Sequence, residues 1–333
     1  MMKKNLLVII FLLLVATSCR KVDREETDVP AVVDTDPLPS WNDGEVKRAI
    51  IDYVNRVTKD SSADYIPAED RIATFDNDGT LWAERPLVQE LFAFYQAKQM
   101  VAKQPALAKK QPFKAMVEGD KTFFAKGGDK ALIAAVGATH TGMTEDQFEA
   151  SAKTFFSSAT YPGKNVPLKQ IRYLPQLELL DYLRVHGFKI YICTGGTVEL
   201  VRSMARDFYG IPPEQIIGTS FKYVYADSSR KIYREPILNH FNDKEGKPVG
   251  IQLAIGKHPV LACGNEGGKG DIAMLAFSQA GKYPSLQLLV NHDDGAREFE
   301  YSEPDSASLK AANKNHWRVI SMKNDWREVF PKP

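Results

Sequence analysis

Two carboxylates stand two residues apart in the stretch Arg71–Trp82, at Asp76 and Asp78 of Phe-Asp-Asn-Asp-Gly-Thr-Leu-Trp. The four residues before them, Ile72–Phe75, are apolar and β-prone, and read as a buried parallel strand. Gly79 lets the chain turn at once, in a conformation a side chain would obstruct. The acids therefore fall at the carboxyl end of a buried strand, where open α/β sheets bind ligands. Two acids on one tight loop repel each other unless a cation lies between them or a proton bridges them. One such carboxylate could attack an electrophile and split a hydrolysis into two easier steps. The other could give a proton to an alkoxide leaving group. The same four residues, Asp-Asn-Asp-Gly, are also ordinary solvated turn chemistry.

A second stretch has chemical content. Phe188–Cys193 reads as another buried strand and ends in Thr194-Gly195-Gly196-Thr197, before a helix through Val198–Tyr209. A hydroxyl and two glycines between strand and helix can cradle a phosphate, since backbone N–H groups and the positive helix end favour an anion there. Thr-Gly-Gly-Thr is equally a routine strand–helix turn with Thr197 as N-cap.

An apolar strand followed by Asp-x-Asp-Gly-Thr-Leu resembles the first motif of the haloacid dehalogenase (HAD) superfamily of phosphotransferases. The resemblance implies that Asp76 is a nucleophile that becomes an aspartyl phosphate. It implies that Asp78 is the general acid and base; the dehalogenase branch lacks that second acid. Thr194 matches the second motif and would hydrogen-bond the phosphoryl oxygen, with Gly195 and Asn77 beside the substrate. The third motif is a lysine ahead of a helix, a place held by Lys247, with Lys222 and Lys244 as competitors. Its charge would offset the crowded carboxylates and the phosphoryl group. The fourth motif supplies the acids that hold Mg²⁺ and falls at Gly264-Asn265-Glu266-Gly267-Gly268-Lys269-Gly270-Asp271. This chain departs from the pattern there, with Asn265 in place of an acid and a longer gap to Asp271. An amide oxygen still ligates a hard cation but brings no charge. The implied metal site is Asp76, the Asp78 backbone carbonyl, Asn265 and Asp271, with Glu266 as a substitute for Asn265.

The resemblance implies an α/β fold: a Rossmann-like HAD core, mainly parallel, with helices on both faces and a C1-type helical cap inserted after the first catalytic strand. The core would be residues 43–81 and 169–333, and the cap 82–168, in the phosphoserine-phosphatase-like branch. The elements fit that plan. Val46, Ile50, Ile51, Val54 and Val57 repeat at helical spacing within Asp43–Asp60. Pro86 opens a helix carrying Leu87, Leu91, Phe92 and Tyr95. Thr144–Gln147 is a capping box, and Gly127-Gly128 and Tyr161-Pro162-Gly163 are breaks. Glu84 and Arg85 lie at the hinge, as a polar connection or as substrate contacts.

Further along, Leu174–His186 is an amphipathic helix stopped by Gly187. Ile216–Glu235 forms a hairpin turning at Asp227-Ser228-Ser229. Pro259–Cys263 and Ser285–Val290 are buried strands, with a helix from Ile272 between them. Trp317–Met322 is a closing strand and Asp325–Phe330 a last helical turn. His292, in Asn291-His292-Asp293-Asp294 at the same sheet edge, reads as structural rather than as an aid to a leaving group.

The 333 residues, 44% hydrophobic and 26% charged with formal net charge +1, make an ordinary globular balance. Near-neutral charge gives no argument for a nucleic-acid partner. At the N-terminus, Lys3 and Lys4, the apolar Leu6–Val15 and Ala16-Thr17-Ser18-Cys19 resemble a bacterial lipoprotein signal over residues 1–19. Cleavage before Cys19 and its lipidation would anchor an exported protein to a bacterial membrane. Residues 20–42 read as a flexible tether. That leaves Cys193 and Cys263. In the strand order that the resemblance implies, the Asp76 strand lies between theirs, so they would sit near 10 Å apart, beyond the roughly 7 Å that a bridge spans, and remain buried free thiols. The function implied is a Mg²⁺-dependent phosphomonoester hydrolase acting on a small phosphorylated metabolite. The alternatives are transfer to an acceptor other than water, or a HAD-fold binding protein with weak turnover.

Overall fold

The structure, a computed structural model, describes residues 36–332. Cys19 and the signal-like segment lie outside the described residues. The folded unit begins at Pro37, earlier than the tether reading of residues 20–42 places it. Leu38 and Trp41 are buried, and the Trp41 indole donates to the Pro175 carbonyl at 2.9 Å. Two apolar side chains inside a Pro/Asp-rich stretch are enough to dock it.

The first helix, α1 (Glu45–Thr58), buries Val46, Ile50, Val54 and Val57. Strand β1 (Ile72–Phe75) follows and is buried at every position. An insertion then runs through α2 (Val88–Lys103), α3 (Phe113–Glu118), α4 (Lys121–His140) and α5 (Glu145–Ser158), closed by a short ribbon of β2 (Thr160–Tyr161) and β3 (Val166–Pro167). Pro86 does not open α2. It precedes the helix by two residues, with Leu87 at the cap position. The capping box at Thr144 and Gln147 is formed, and α4 kinks at Gly128.

The chain returns through α6 (Leu174–Val185), β4 (Lys189–Thr197), α7 (Val198–Tyr209) and the hairpin β5 (Ile216–Ala226) and β6 (Lys231–His240). It ends with α8 (Gly246–Ala254), β7 (Leu261–Asn265), α9 (Ile272–Gln279), β8 (Leu286–Asn291), α10 (Ala307–Asn315), β9 (Arg318–Ser321) and α11 (Met322–Asp325). The last helical turn is thus α11 and not Asp325–Phe330; Trp326 instead bridges back to Trp41.

The seven strands stand in the order β6-β5-β4-β1-β7-β8-β9, parallel except for β6, with helices on both faces. This is the Rossmann-like, mainly parallel α/β fold that the sequence leads one to expect. One core cluster holds the apolar residues of α1, α6 and α7. A second, on the other face, holds Ile251, Met274, Leu275 and Ala312 of α8, α9 and α10. The insertion has a small core of its own around Ala97, Phe113, Met116 and Ala135. Strand β1 lies between β4 and β7, so Cys193 and Cys263 are kept apart, and both are free and buried.

Candidate active site

The carboxyl ends of β1, β4 and β7 converge on one cavity of about 310 Å³, whose lining includes Asp76, Asp78, Lys247, Asn265 and Asp271. Asp76 directly follows β1, and its backbone N–H donates to the Cys263 carbonyl at 2.9 Å, which fixes the loop to β7. Gly79 adopts φ +75°, and a Cβ there would meet the Asn265 side chain at 2.2 Å. Glycine is needed for both reasons.

Lys247, in the first turn of α8, is buried, and its ammonium lies 2.6 Å from Asp76 Oδ1 and also bonds Asp271 Oδ1. Burial opposes its charge, but Asp271 and Asp76 outweigh that and raise its pKa above the usual lysine range. The competitor Lys222 pairs with Glu235 on the exposed hairpin, and Lys244 is exposed. Burial and the Asp271 carboxylate push Asp76 upward, and Lys247 pulls it back. One ammonium is thus shared by two carboxyl groups.

Asp78 accepts a hydrogen bond from the Trp82 indole at 2.9 Å. Burial raises its pKa, opposed by hydrogen bonds from Trp82 and Gln89. An upward shift favours the protonated carboxyl, the form that can give a proton to a leaving group.

The residues present fit a hard cation. One end of the Asn265 side-chain amide lies 3.2 Å from the Asp78 carbonyl oxygen and 3.3 Å from Asp271 Oδ2. With nitrogen at that end it would donate to both. With oxygen there, three oxygens converge, Thr80 donates to the amide oxygen at 3.4 Å, and the nitrogen faces Glu84 Oε1 at 3.4 Å. Three oxygens with no hydrogen between them suit Mg²⁺, which takes oxygen ligands and keeps several waters. Among the described residues no three His, Cys, Asp or Glu side chains gather as a metal cluster. The set here differs by using an amide and a backbone carbonyl. Glu266 is not part of it: its Oε1 accepts from the Glu303 backbone N–H at 2.5 Å, away from the cavity.

Other expected contacts are redistributed. Strand β4 continues through Thr197 with a bulge after Cys193, so the Thr-Gly-Gly-Thr stretch ends a strand and is not a free turn. Thr194 is buried and its hydroxyl accepts from the Gly196 N–H at 3.0 Å. The residues that line the cavity at this edge are Gly195, Gly196 and Thr197. Thr197 holds the N-cap position of α7 without a side-chain cap bond. Asn77 is buried and outside the lining, and its side chain helps to pull the Asp78 pKa down. Glu84 lines the cavity and accepts from the Tyr301 hydroxyl at 2.5 Å. Arg85 turns away and stacks on Tyr301, its guanidinium 3.9 Å from the ring centroid.

The sequence reading missed Gln89. Its side-chain oxygen accepts the Thr197 backbone N–H at 2.9 Å, and the same side chain bonds Asp78. A glutamine in the first turn of a helix carries no pattern that would single it out. His292 is fully buried, 2.9 Å from the Gly79 carbonyl through Nε2, and stacked on Tyr301 at 4.2 Å. It braces the acid loop from behind, as the structural reading expects.

A family model for haloacid dehalogenase-like hydrolases matches residues 73–275. The chain belongs to the haloacid dehalogenase-like hydrolase family. The match runs from β1 into α9 and so spans Asp76, Asp78, Lys247, Asn265 and Asp271. No curated protein matches the chain. Among solved structures it is similar to a conserved functionally unknown protein from Anaerococcus prevotii DSM 20548, with TM-score 0.57 and 16% identity over 85% of this chain and 94% of that one. A protein with unknown function from Bordetella pertussis Tohama I gives TM-score 0.50 and 16% identity over 75% and 97%. A phosphoserine phosphohydrolase-like protein from Francisella tularensis subsp. tularensis SCHU S4 gives TM-score 0.39 and 18% identity over 78% and 95%. At 16% identity the likeness of the first two to this HAD-like hydrolase is one of fold.

Proposed function

We propose that this HAD-like hydrolase is a Mg²⁺-dependent phosphomonoester hydrolase working through an aspartyl-phosphate intermediate. The observation that carries the reading is the buried Lys247 ammonium between Asp76 and Asp271, with Asp78 on the same loop. In this reading Asp76 attacks phosphorus. Lys247 holds its carboxylate in place and offsets the phosphoryl charge. Asp78 protonates the departing alkoxide, then takes a proton from the water that cleaves the acyl phosphate. Gly195 and Gly196 line the cavity where the phosphoryl oxygens would sit, ahead of the positive end of α7. Asp76, the Asp78 carbonyl, Asn265 and Asp271 would hold Mg²⁺, which supplies charge stabilisation at the phosphoryl group. The helical insertion serves as the cap that encloses the substrate.

The purified protein should release inorganic phosphate from a panel of small phosphomonoesters with Mg²⁺ and stop in EDTA. Full activity in EDTA would overturn the metal assignment. Asn265 favours one second reading, a binding protein that kept the fold and lost turnover. Mg²⁺ and ligand binding without phosphate release would establish that instead.

The proposal extends to location: export and lipidation at Cys19, with a membrane anchor and no spanning segment. Among the described residues no helix is long and apolar enough to cross a membrane. Cys19→Ala should move the protein from the membrane fraction to the soluble one; unchanged partitioning would remove the anchor.

A further inference from the structure

The charges lining the cavity bear on the substrate. The lining contains six acids and a single basic side chain, Lys247, whose ammonium is already committed to Asp76 and Asp271. Three of the acids serve the reaction centre. The other three, Glu84, Glu90 and Asp243, face the same space. Among the described residues no free cation lines the cavity to receive a carboxylate or a second phosphate on the substrate. A like charge about 5 Å from one of these acids would weaken binding by roughly two orders of magnitude at an effective dielectric of ~20.

The remaining wall is apolar. Leu87, Val136, Phe221 and Phe241 line it, from the insertion and from the hairpin side. Its few neutral polar groups are occupied. Gln89 holds the Thr197 N–H, and the Thr219 hydroxyl donates to the Gly195 carbonyl and accepts from the Asn242 N–H. A polyhydroxylated leaving group would find few partners here, at the cost of buried unmet hydroxyls. Glu90, in the first turn of α2, is half-buried and forms no hydrogen bond or ion pair among the described residues, and burial alone raises its pKa. A half-buried carboxylate beside aromatic and aliphatic walls suits an organic cation, which gains from both the charge and the ring faces.

We propose that the substrate is the phosphate monoester of a small cationic alcohol, an amino or quaternary-ammonium alcohol, whose positive group sits between Glu90 and the Phe221/Phe241 wall. This deepens the hydrolase reading and rests on it. It also sets this site apart from one built for a substrate with a free carboxylate, such as phosphoserine.

The test compares kcat/KM of the full chain with Mg²⁺ on phosphocholine, phosphoethanolamine, propyl phosphate, phosphoserine and phosphoglycolate. p-Nitrophenyl phosphate is the common reference. The cationic esters should lead, propyl phosphate should follow, and phosphoglycolate should trail the cationic esters by about a hundredfold. Glu90→Gln should lower the ratio of phosphocholine to propyl phosphate by about tenfold, and Glu90→Lys should bring the anionic esters up. Turnover of the reference with a preference for propyl phosphate, phosphoserine or phosphoglycolate overturns the cationic assignment and leaves the hydrolase reading standing. Unchanged ratios in both Glu90 variants overturn the role of that carboxylate. No turnover of any ester, reference included, defeats the hydrolase reading and this proposal with it.

Discussion

Asn265→Asp restores the acid at the fourth motif, and the geometry sets two opposite consequences. The side chain lies 3.3 Å from Asp271 Oδ2 and faces Glu84 at 3.4 Å. A new carboxylate at that distance from Asp271 is repelled by ~5 kcal/mol at a dielectric of ~20. Protonating it instead costs about 4 kcal/mol at pH 7, from a normal aspartate pKa of about 3.9. The smaller figure limits the loss. Without metal the variant should therefore be destabilised by up to about 4 kcal/mol, or roughly 10 °C in melting temperature. The new acid's folded pKa is raised, so its penalty is absent below pH about 4 and grows as pH rises toward 7. Mg²⁺ should reverse the order of effect, because the added charge attracts the dication. The variant should gain more from millimolar Mg²⁺ than the parent and bind it at least about tenfold more tightly. Turnover should not rise in proportion, since the added charge also repels the phosphoryl group. Melting curves at pH 4 and 7, with and without Mg²⁺, give the answer. An unchanged metal-free melting temperature at pH 7, together with an unchanged response to Mg²⁺, would refute the placement of Asn265 among these oxygens.

Two further outcomes follow from buried groups. Asp78→Asn should depress hydrolysis of alkyl phosphates far more than that of p-nitrophenyl phosphate, because general acid catalysis supplies about 10²–10⁴-fold and a good leaving group needs little of it. Equal losses would remove Asp78 from proton transfer. His140 is buried between Phe92 and Phe148, its pKa pushed down to about 3 by burial and then by the nearby Arg234 charge. Its folded pKa lies below the unfolded value of 6.5, so the fold loses stability as pH falls below 6.5, by about 2 kcal/mol at pH 5. His140→Phe should remove that part of the loss in urea unfolding at pH 7 and pH 5; an identical loss in both proteins would mean His140 is not held neutral.

The convergence of residues at the candidate site was legible because its parts are punctuation. Three short apolar strands end abruptly in acids, glycines or hydroxyls and bring Asp76, Thr194 and Asn265 to one sheet edge, and the order of the motifs adds Lys247 from the first turn of α8. Lys247 gained weight from order alone, and it lies against Asp76. What stayed hidden depends on contacts without a local pattern. Gln89 meets Thr197 across 108 positions. Glu90 beside it looks like any exposed acid of a first helical turn. Arg234, on a strand with little alternation, is buried against Glu145 and Glu199 and ties the hairpin to the insertion and α7. The α10 helix and the start of the folded unit at Pro37 were obscured by polar composition, where a few buried side chains decide the outcome.

The central claim is a covalent phosphoryl group on Asp76. Acid quench during turnover of a good substrate, followed by peptide mass spectrometry, reads it directly. A phosphoryl increment should appear on Asp76 and vanish in Asp76→Asn, which should also lose turnover while keeping nearly the parent melting temperature. A folded Asp76→Asn protein that keeps a substantial share of the rate, or a phosphoryl group on any other residue, would contradict the account.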